Sequence, residues 1–198
     1  MRATLSLASG IAAVIAAFGA SIAAAQTPAP AADPANTVIL ELKTGKVTIQ
    51  LRPDLAPKHV ERVKKLMSEG FYNGLKFHRV IPEFMAQTGD PLGTGAGGSK
   101  YPDLPAEFST TEPYRRGTIG AARTSDPNTA NSQFFICFTD FGCGPLNGKY
   151  TIWGKVTAGM QYVDAVAKGE PPSSPDTILK MYLASDGAAA APVPAQKK

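Results

Sequence analysis

Short apolar segments separated by glycine- and proline-rich connections recur along the central part of this 198-residue chain. The first two segments, 37–42 and 47–51, have the composition of strands and flank a turn that contains Gly45, which predicts a β-hairpin. Strands and helices do not alternate as in a parallel α/β sheet, so the segments predict an antiparallel all-β barrel or sandwich. Further strand-like segments lie at 75–81, 118–122, 131–138, 149–156 and 177–183.

Two segments have helical rather than strand spacing. Residues 56–70 place apolar residues on one face, carry a proline that suits a first helical turn, and end at Gly70. The second segment, 158–169, carries a similar apolar stripe and ends at Gly169. We expect both helices to pack over the openings of the barrel, with His59 exposed in the first turn of the first helix.

The N-terminal 25 residues form a segment of a different kind. Arg2 is their only charged residue, an alanine-rich apolar stretch follows, and Ala23–Ala25 resemble a signal-peptidase site. Residues 1–25 are therefore interpreted as a cleavable signal peptide, with no membrane insertion of the mature chain. The alternative is a retained membrane anchor, because the stretch approaches the ~20 apolar residues of a spanning helix. Its alanine, glycine and serine content favours cleavage.

The remaining sequence divides into one domain between two segments of low complexity. Residues 26–35 are rich in proline and alanine and are interpreted as a linker, and residues 187–198 as a disordered tail. The intervening segment, 36–186, is long enough for one domain with a hydrophobic core. The formal net charge is +4 and the lysines and arginines are scattered, which argues against a nucleic-acid partner.

The two cysteines, Cys137 and Cys143, lie close in sequence but do not cluster with the two histidines. This pattern matches no metal site, so we expect neither a metal nor another cofactor. An exported protein meets an oxidising compartment, where a short-loop disulfide is one alternative. We favour two unpaired thiols, because bridging so short a loop demands a particular turn geometry.

The sequence GTGAGG at 93–98 formally matches the glycine pattern of dinucleotide-binding proteins. That pattern requires a following helix whose N-terminus binds the pyrophosphate. Pro102 and Pro105 prevent such a helix here. A flexible loop close to another surface is therefore preferred over a nucleotide site, and an ordinary surface turn explains the glycines equally well.

The stretch FHRVIPEFMAQTGD at 77–90 places Arg79 within an apolar run. Pro82 ends the predicted strand, so the residues after it are expected in a bend. The later stretch NSQFFICF places Gln133 and Phe135 on one strand face, opposite the face that belongs to the core. An arginine, amides and aromatic rings predict an apolar pocket with a few aimed hydrogen-bond donors.

The sequence sets up no serine, cysteine or carboxylate beside a histidine, so a hydrolytic triad has little support. His78 is instead interpreted as a hydrogen-bonded structural residue. The arginine and its neighbours suit rotation about an X-Pro bond, whose barrier of about 18–20 kcal/mol arises from partial double-bond character. In the twisted transition state the nitrogen regains a lone pair, to which a fixed guanidinium can donate.

FHRVIPEFMAQTGD, GTG, NSQFFICF and LNGKYTIWGKV, in this order and spacing, resemble a cyclophilin-type peptidyl-prolyl cis-trans isomerase over residues 36–185. The resemblance implies a closed eight-stranded antiparallel barrel capped by two α-helices, and ARTSDPNTANSQFF is similar to the bacterial branch. It also implies Arg79 as the catalytic arginine. The implied substrate-binding residues are Phe84, Met85, Gln87, Gly93, Thr124, Gln133, Phe135, Leu146 and Tyr150.

One departure from the family pattern bears on inhibitor binding. Where the best-known members carry a tryptophan that helps to bind cyclosporin, this chain has Pro145, and its own Trp153 is expected in the core. Together with the signal peptide, the resemblance implies a periplasmic isomerase of a Gram-negative bacterium, and since the sequence shows no oligomerisation signal we expect a monomer. It would act on proline-containing segments of unfolded or exported proteins. The alternative is a non-catalytic holdase that binds such segments in the same groove.

Overall fold

In the computed structural model, which describes residues 33–189, eight strands form one antiparallel sheet. The predicted signal peptide and parts of the predicted linker and tail lie outside the described residues. The strands are β1 (Thr37–Leu42), β2 (Gly45–Leu51), β3 (Arg79–Ile81), β4 (Met85–Thr88), β5 (Thr118–Ala121), β6 (Phe134–Cys137), β7 (Ile152–Ala158) and β8 (Lys180–Leu183). The helices are α1 (Pro57–Ser68), α2 (Asp140–Cys143), α3 (Met160–Asp164) and α4 (Ala184–Ala189).

The strands are ordered β3-β4-β6-β5-β7-β2-β1-β8, and the sheet curls so that its two ends approach each other. The ends meet through isolated bridges rather than through a continuous ladder. Lys76 bridges Thr177, while Val80 and Gly169 exchange two backbone hydrogen bonds of 2.8 and 2.9 Å. The predicted all-β, eight-stranded antiparallel architecture is confirmed, and its seam is formed by irregular segments.

Aromatic and aliphatic side chains fill the interior of the curled sheet. Phe134 packs edge-to-face against Trp153 and Tyr72, with ring centroids 5.3 and 5.6 Å apart. Each of the three residues is 1% exposed. Buried rings of this size contribute a large share of the hydrophobic stabilisation of a domain. Trp153 therefore belongs to the core, as predicted.

α1 forms where the sequence predicts a helix, with Pro57 in its first turn. Its C-terminal end is followed by Gly70, whose φ of +68° is the left-handed conformation that glycine adopts without strain. The helix packs against β7 and β8. Its buried apolar residues are those of the predicted stripe, Val60, Val63, Leu66 and Met67.

The N-terminus of α1 is capped from a distant loop. The Glu107 carboxylate accepts hydrogen bonds from the backbone N–H groups of Lys58 and His59, both at 3.1 Å, and contacts the His59 ring Nδ1 at 2.6 Å. His59 is only 3% exposed. The predicted exposure of His59 is therefore wrong, because a carboxylate remote in sequence covers the start of the helix.

Several segments differ from their predicted extent. The strand predicted at 75–81 is limited to β3. Residues 85–88, expected in a bend after Pro82, form β4, because a tight turn at Glu83 (φ +61°) returns the chain antiparallel to β3. The second predicted helix, 158–169, is helical only in α3.

The two ends of the described chain carry short helical turns. A 3₁₀ turn at Pro34–Asn36 lies partly within the predicted linker, and α4 continues into the segment predicted as a tail. None of the helices within residues 33–189 has the length and apolar character that crossing a bilayer requires.

Candidate active site

An apolar hollow of about 110 Å³ opens on the outer face of the sheet. It lies where β3, β4 and β6 meet the loops that follow β5 and α2. Apolar walls with a few polar groups at the rim are typical of ligand sites, and the small volume of this hollow suits a small group rather than a whole ligand. Seven of the ten predicted site residues line it: Arg79, Phe84, Met85, Gln87, Phe135, Leu146 and Tyr150.

Phe135 forms the floor of the hollow, because β6 sends alternate side chains to the interior and to the outer face. Its ring stacks on Tyr114, with centroids 5.8 Å apart and planes 19° apart, and meets Tyr150 edge-on at 5.9 Å. Gly120 is the residue opposite Phe135 on β5. A Cβ at that position would collide with the Phe135 ring and the Tyr114 hydroxyl, so the glycine makes room for the stack.

Arg79 stands at the rim of the hollow, opposite Gln87 in the β3–β4 ladder. Its Nε donates to Glu170 Oε2 at 2.8 Å, and its Nη1 faces Gln87 Oε1 at 3.5 Å. The Arg79 side chain is 41% exposed and the Glu170 side chain 51%. Because Glu170 occupies the Nε edge, the terminal nitrogens remain available to a ligand in the hollow.

A chain of amide hydrogen bonds fixes the orientation of Gln87. Its Nε2 donates to Gln133 Oε1 at 2.9 Å, and Gln133 Nε2 donates to the carbonyls of Gly95 and Gly97 at 2.9 and 2.8 Å. Since the nitrogen of Gln87 is occupied in this way, its oxygen is turned towards Arg79. The guanidinium is thus held by groups whose own orientation is set by the neighbouring loop.

A wider groove of about 690 Å³ continues from the hollow past Gln87. The predicted residues Thr124 and Gln133 line this groove rather than the hollow. Arg123 lines both, and its guanidinium lies over the Tyr150 ring at 4.2 Å from the centroid. Sequence reasoning missed Arg123, because no local pattern connects it to a tyrosine on another loop.

A third cavity, of about 560 Å³, borders Arg79 and Gln87 from another side. Gly93, predicted as a substrate-binding residue, lies here and not in the hollow. Glu170 also lines this cavity and was not predicted as a site residue. It is 91 residues from Arg79, and the GEPP segment that carries it has no motif that would have indicated the contact.

The loop at 93–98 is organised around the buried carboxylate of Asp90. This carboxylate accepts backbone hydrogen bonds from Leu92, Thr94 and Gly95 at 2.8, 2.9 and 2.6 Å. Burial alone raises the pKa of Asp90, but the backbone donors outweigh it and hold that pKa below its usual value. The carboxylate occupies the Thr94 and Gly95 N–H groups, which a phosphate bound by GTGAGG would need, so the loop geometry favours a structural turn over a nucleotide site.

Cys137 and Cys143 form a disulfide with their Cα atoms 6.1 Å apart, so the predicted unpaired thiols are wrong. The turn geometry is supplied by α2, which was not predicted. Thr139 accepts the Gly142 N–H at the start of α2, and the helix returns Cys143 to the end of β6. Cys137 pairs with Met85 across the β4–β6 ladder, so the bridge braces one wall of the hollow.

His78 lies beneath the glycine loop and is 5% exposed. A Cβ at Gly95 would lie 3.8 Å from its ring. The Lys76 backbone and the Gln133 side chain lie near the ring, but among the described residues neither ring nitrogen makes a hydrogen bond of good geometry. Burial lowers the pKa of His78, and the ring is therefore neutral at pH 7.

The assembled site offers a fixed guanidinium, oriented amides and an aromatic floor. In the part of the chain that the structure describes, no three potential metal ligands come together. The aromatic floor can hold a small apolar ring, and the Arg79 guanidinium can donate hydrogen bonds to a group beside that ring.

Comparisons with known proteins show which family the chain is similar to. The family model described as cyclophilin type peptidyl-prolyl cis-trans isomerase matches residues 37–183. A probable peptidyl-prolyl cis-trans isomerase of Brucella suis is 56% identical, over 84% of this chain and 91% of that protein. The structure of cyclophilin AquaCyp293 from Hirschia baltica is similar, with a TM-score of 0.70 and 29% identity over 78% of this chain and 76% of that one. A Cryptosporidium parvum cyclophilin type isomerase, crystallised in the presence of the dipeptide Ala-Pro, gives a TM-score of 0.68 and 30% identity over 74% of this chain and 98% of that one.

Proposed function

This chain belongs to the cyclophilin-type peptidyl-prolyl cis-trans isomerase family and is an isomerase of that class; from that premise we propose that Arg79 is its catalytic residue. The observation that carries the proposal is the guanidinium held at the rim of the apolar hollow. Its Nε is bound by Glu170 at 2.8 Å and its Nη1 faces Gln87 at 3.5 Å.

The substrate is a proline-containing segment of a polypeptide. The prolyl ring enters the 110 Å³ hollow and packs on Phe135, with Met85 and Leu146 beside it. The related Cryptosporidium protein crystallised with Ala-Pro supports this substrate class. The chain on one side of the proline follows the groove lined by Thr124 and Gln133.

Catalysis proceeds by non-covalent stabilisation of the twisted transition state. Rotation about the C–N bond removes amide resonance, which is the origin of the barrier of about 18–20 kcal/mol. The prolyl nitrogen then carries a lone pair that the Arg79 terminal N–H groups can meet. Because the guanidinium is already held in place, little reorganisation is needed when the lone pair appears.

The test is a prolyl-peptide isomerisation assay on the mature chain. We expect Arg79→Ala to lower kcat/KM about 100-fold or more, since loss of one preorganised transition-state donor has effects of that size. Arg79→Lys should also fail, because an ammonium lacks the planar fork that both Glu170 and the substrate use. Far-ultraviolet circular dichroism and thermal unfolding should match the wild type, because Arg79 is partly exposed.

Arg115→Ala is the matched control, since Arg115 forms an exposed ion pair with Asp140 and does not line the hollow. It should leave kcat/KM unchanged. Full activity of folded Arg79→Ala would contradict the assigned role. A wild-type chain that suppresses aggregation without accelerating isomerisation would support the holdase alternative.

The site of action proposed here is the periplasm, where the enzyme assists folding of exported proteins as a monomer. The alanine-rich segment at 1–25 and the Cys137–Cys143 disulfide support this location, because structural disulfides persist in oxidising compartments. Mass spectrometry of the protein from the periplasmic fraction should give an N-terminus at Gln26, and light scattering should give the monomer mass. A chain that retains residues 1–25 in the membrane fraction would contradict cleavage.

A further inference from the structure

We propose that Glu170 makes this isomerase prefer substrates with a basic side chain close to the proline, bound in the cavity on the Arg79 side of the hollow. This inference rests on the proposed binding of the prolyl ring in the hollow. The cavity, of about 560 Å³, shares Arg79 and Gln87 with the hollow, so a peptide seated on Phe135 passes beside it.

The carboxylate of Glu170 has the capacity to bind a second cation. Only Oε2 is used by Arg79, through Nε at 2.8 Å, and among the described residues Oε1 accepts no hydrogen bond. An ionised carboxylate offers about four lone-pair positions, so a substrate ammonium or guanidinium can bind Oε1 without displacing Arg79. The Glu170 side chain is 51% exposed and so is accessible to such a group.

The charges around the cavity explain why one carboxylate decides its preference. Arg79 supplies one fixed positive charge, and His78 supplies none, because burial lowers its pKa. Lys76 lies at the edge of the cavity, where its Cδ is 3.4 Å from the position of a Cβ on Gly93, so its charge adds to that of Arg79. With Glu170 present the Arg79 charge is paired, whereas without it the cavity would be positive and would favour acidic side chains.

The experiment measures kcat/KM by proton NMR exchange on end-blocked alanine peptides that contain one proline. A single Lys, Gln or Glu is placed in turn at each of the two positions before and the two positions after the proline. The readout is the Lys-to-Glu ratio of kcat/KM at each position, which is insensitive to a general loss of activity. The enzymes are the wild type, Glu170→Gln and Glu83→Gln.

At one position the wild type should prefer Lys over Glu by about fivefold, the size expected for exposed ion pairs. Glu170→Gln should reduce this ratio to one or below, because the Arg79 charge becomes unpaired. Glu83→Gln removes the same charge from the exposed turn before β4, outside the cavity, and should keep the wild-type ratio. Salt at roughly 0.5 M should also flatten the preference by screening.

Equal rates for Lys and Glu peptides at all four positions of an active wild type would overturn the inference. So would a preference that persists unchanged in Glu170→Gln. If the wild type isomerises none of the peptides, the proposed function fails as well, and that result is distinct from an active but indifferent enzyme.

Discussion

The interior of the curled sheet and the hollow on its outer face are both apolar, and they are built by the same strands. Inside, Phe134 meets Trp153 and Tyr72, and the group is almost completely shielded from water. Outside, Phe135 stacks on Tyr114 with a similar degree of burial, but this cluster ends at a polar rim. The rim is what turns an apolar cluster into a binding site.

The alternation of side chains along each strand decides whether a residue belongs to the interior or to the hollow. Val80 and Ala86 point inwards and are fully buried, while their neighbours Arg79 and Gln87 stand at the rim. In β6 the inward residue is Phe134 and the outward residue is Phe135. Because side chains alternate between the two faces of a strand, adjacent residues serve the core and the binding site in turn.

The largest expected effect comes from truncating these two adjacent phenylalanines. Phe134→Ala should lower the free energy of unfolding by about 3–5 kcal/mol, because it leaves a closed cavity among large rings. Phe135→Ala should cost less stability, since water can enter the hollow, but should lower kcat/KM about tenfold or more by removing the floor under the prolyl ring. Urea unfolding and the isomerisation assay separate the two quantities.

Each phenylalanine variant serves as the control for the other. The assignment of Phe134 to the core and Phe135 to the site would be contradicted if folded Phe134→Ala lost as much kcat/KM as Phe135→Ala. The role of Phe135 as the floor of the hollow would be contradicted if Phe135→Ala bound and isomerised substrate as the wild type does.

A smaller effect is expected from the disulfide that braces the outer region. Reduction should lower the free energy of unfolding by about 2 kcal/mol, the size expected when a loop this short is opened. It should also raise KM, because Cys137 lies opposite Met85 in the wall of the hollow. Urea titrations with and without dithiothreitol measure the first effect. The double variant Cys137→Ala and Cys143→Ala should be indifferent to reductant, and reductant sensitivity in that variant would point to another cause.

Periodicity was sufficient to predict much of the fold. The hairpin of β1 and β2, the stripe of α1 and the inward position of Trp153 follow from residue spacing and are confirmed. β4 was missed because Pro82 was taken to end the local strand, whereas the positive φ of Glu83 turns the chain back at once. Such a turn depends on a backbone conformation that composition does not reveal.

The apolar part of the site was easier to predict than its polar surroundings. Phe84, Met85, Phe135 and Leu146 follow from the family resemblance, and the structure places them around one hollow. The contact between Arg79 and Glu170, the burial of His59 by Glu107 and the disulfide were not predicted. Each depends on tertiary folding that places a specific partner beside a residue, and no periodic pattern encodes such a partner.

The smallest effect on stability is expected from the contact between His59 and Glu107, which lies at the start of α1 and not at the rim of the hollow. Burial lowers the pKa of His59, although Glu107 opposes the shift. Burial raises the pKa of Glu107, but the His59 and backbone hydrogen bonds outweigh it and lower that pKa. Since both His59 and Glu107 have a lower pKa in the folded chain than in the unfolded chain, the unfolded chain binds protons more readily at both groups.

Stability should therefore be greatest above about pH 6.5, the usual pKa of an unfolded histidine, and should decline as the pH falls. Glu107→Gln should lower the free energy of unfolding by about 1–2 kcal/mol at pH 7.5, because it weakens a charged cap on α1. Its deficit should begin to shrink below about pH 4.5, the usual pKa of an unfolded glutamate, and should disappear only as the pH falls through the lowered pKa of the folded Glu107. Glu61→Gln, on the exposed face of α1, is the matched control and should show no deficit.

Because Glu107 does not line the hollow, kcat/KM of the folded variant at pH 7.5 should equal that of the wild type. A pH-independent deficit would show that the carboxylate charge does not stabilise the helix, whereas a loss of kcat/KM would show that the fold and the rim are coupled through α1.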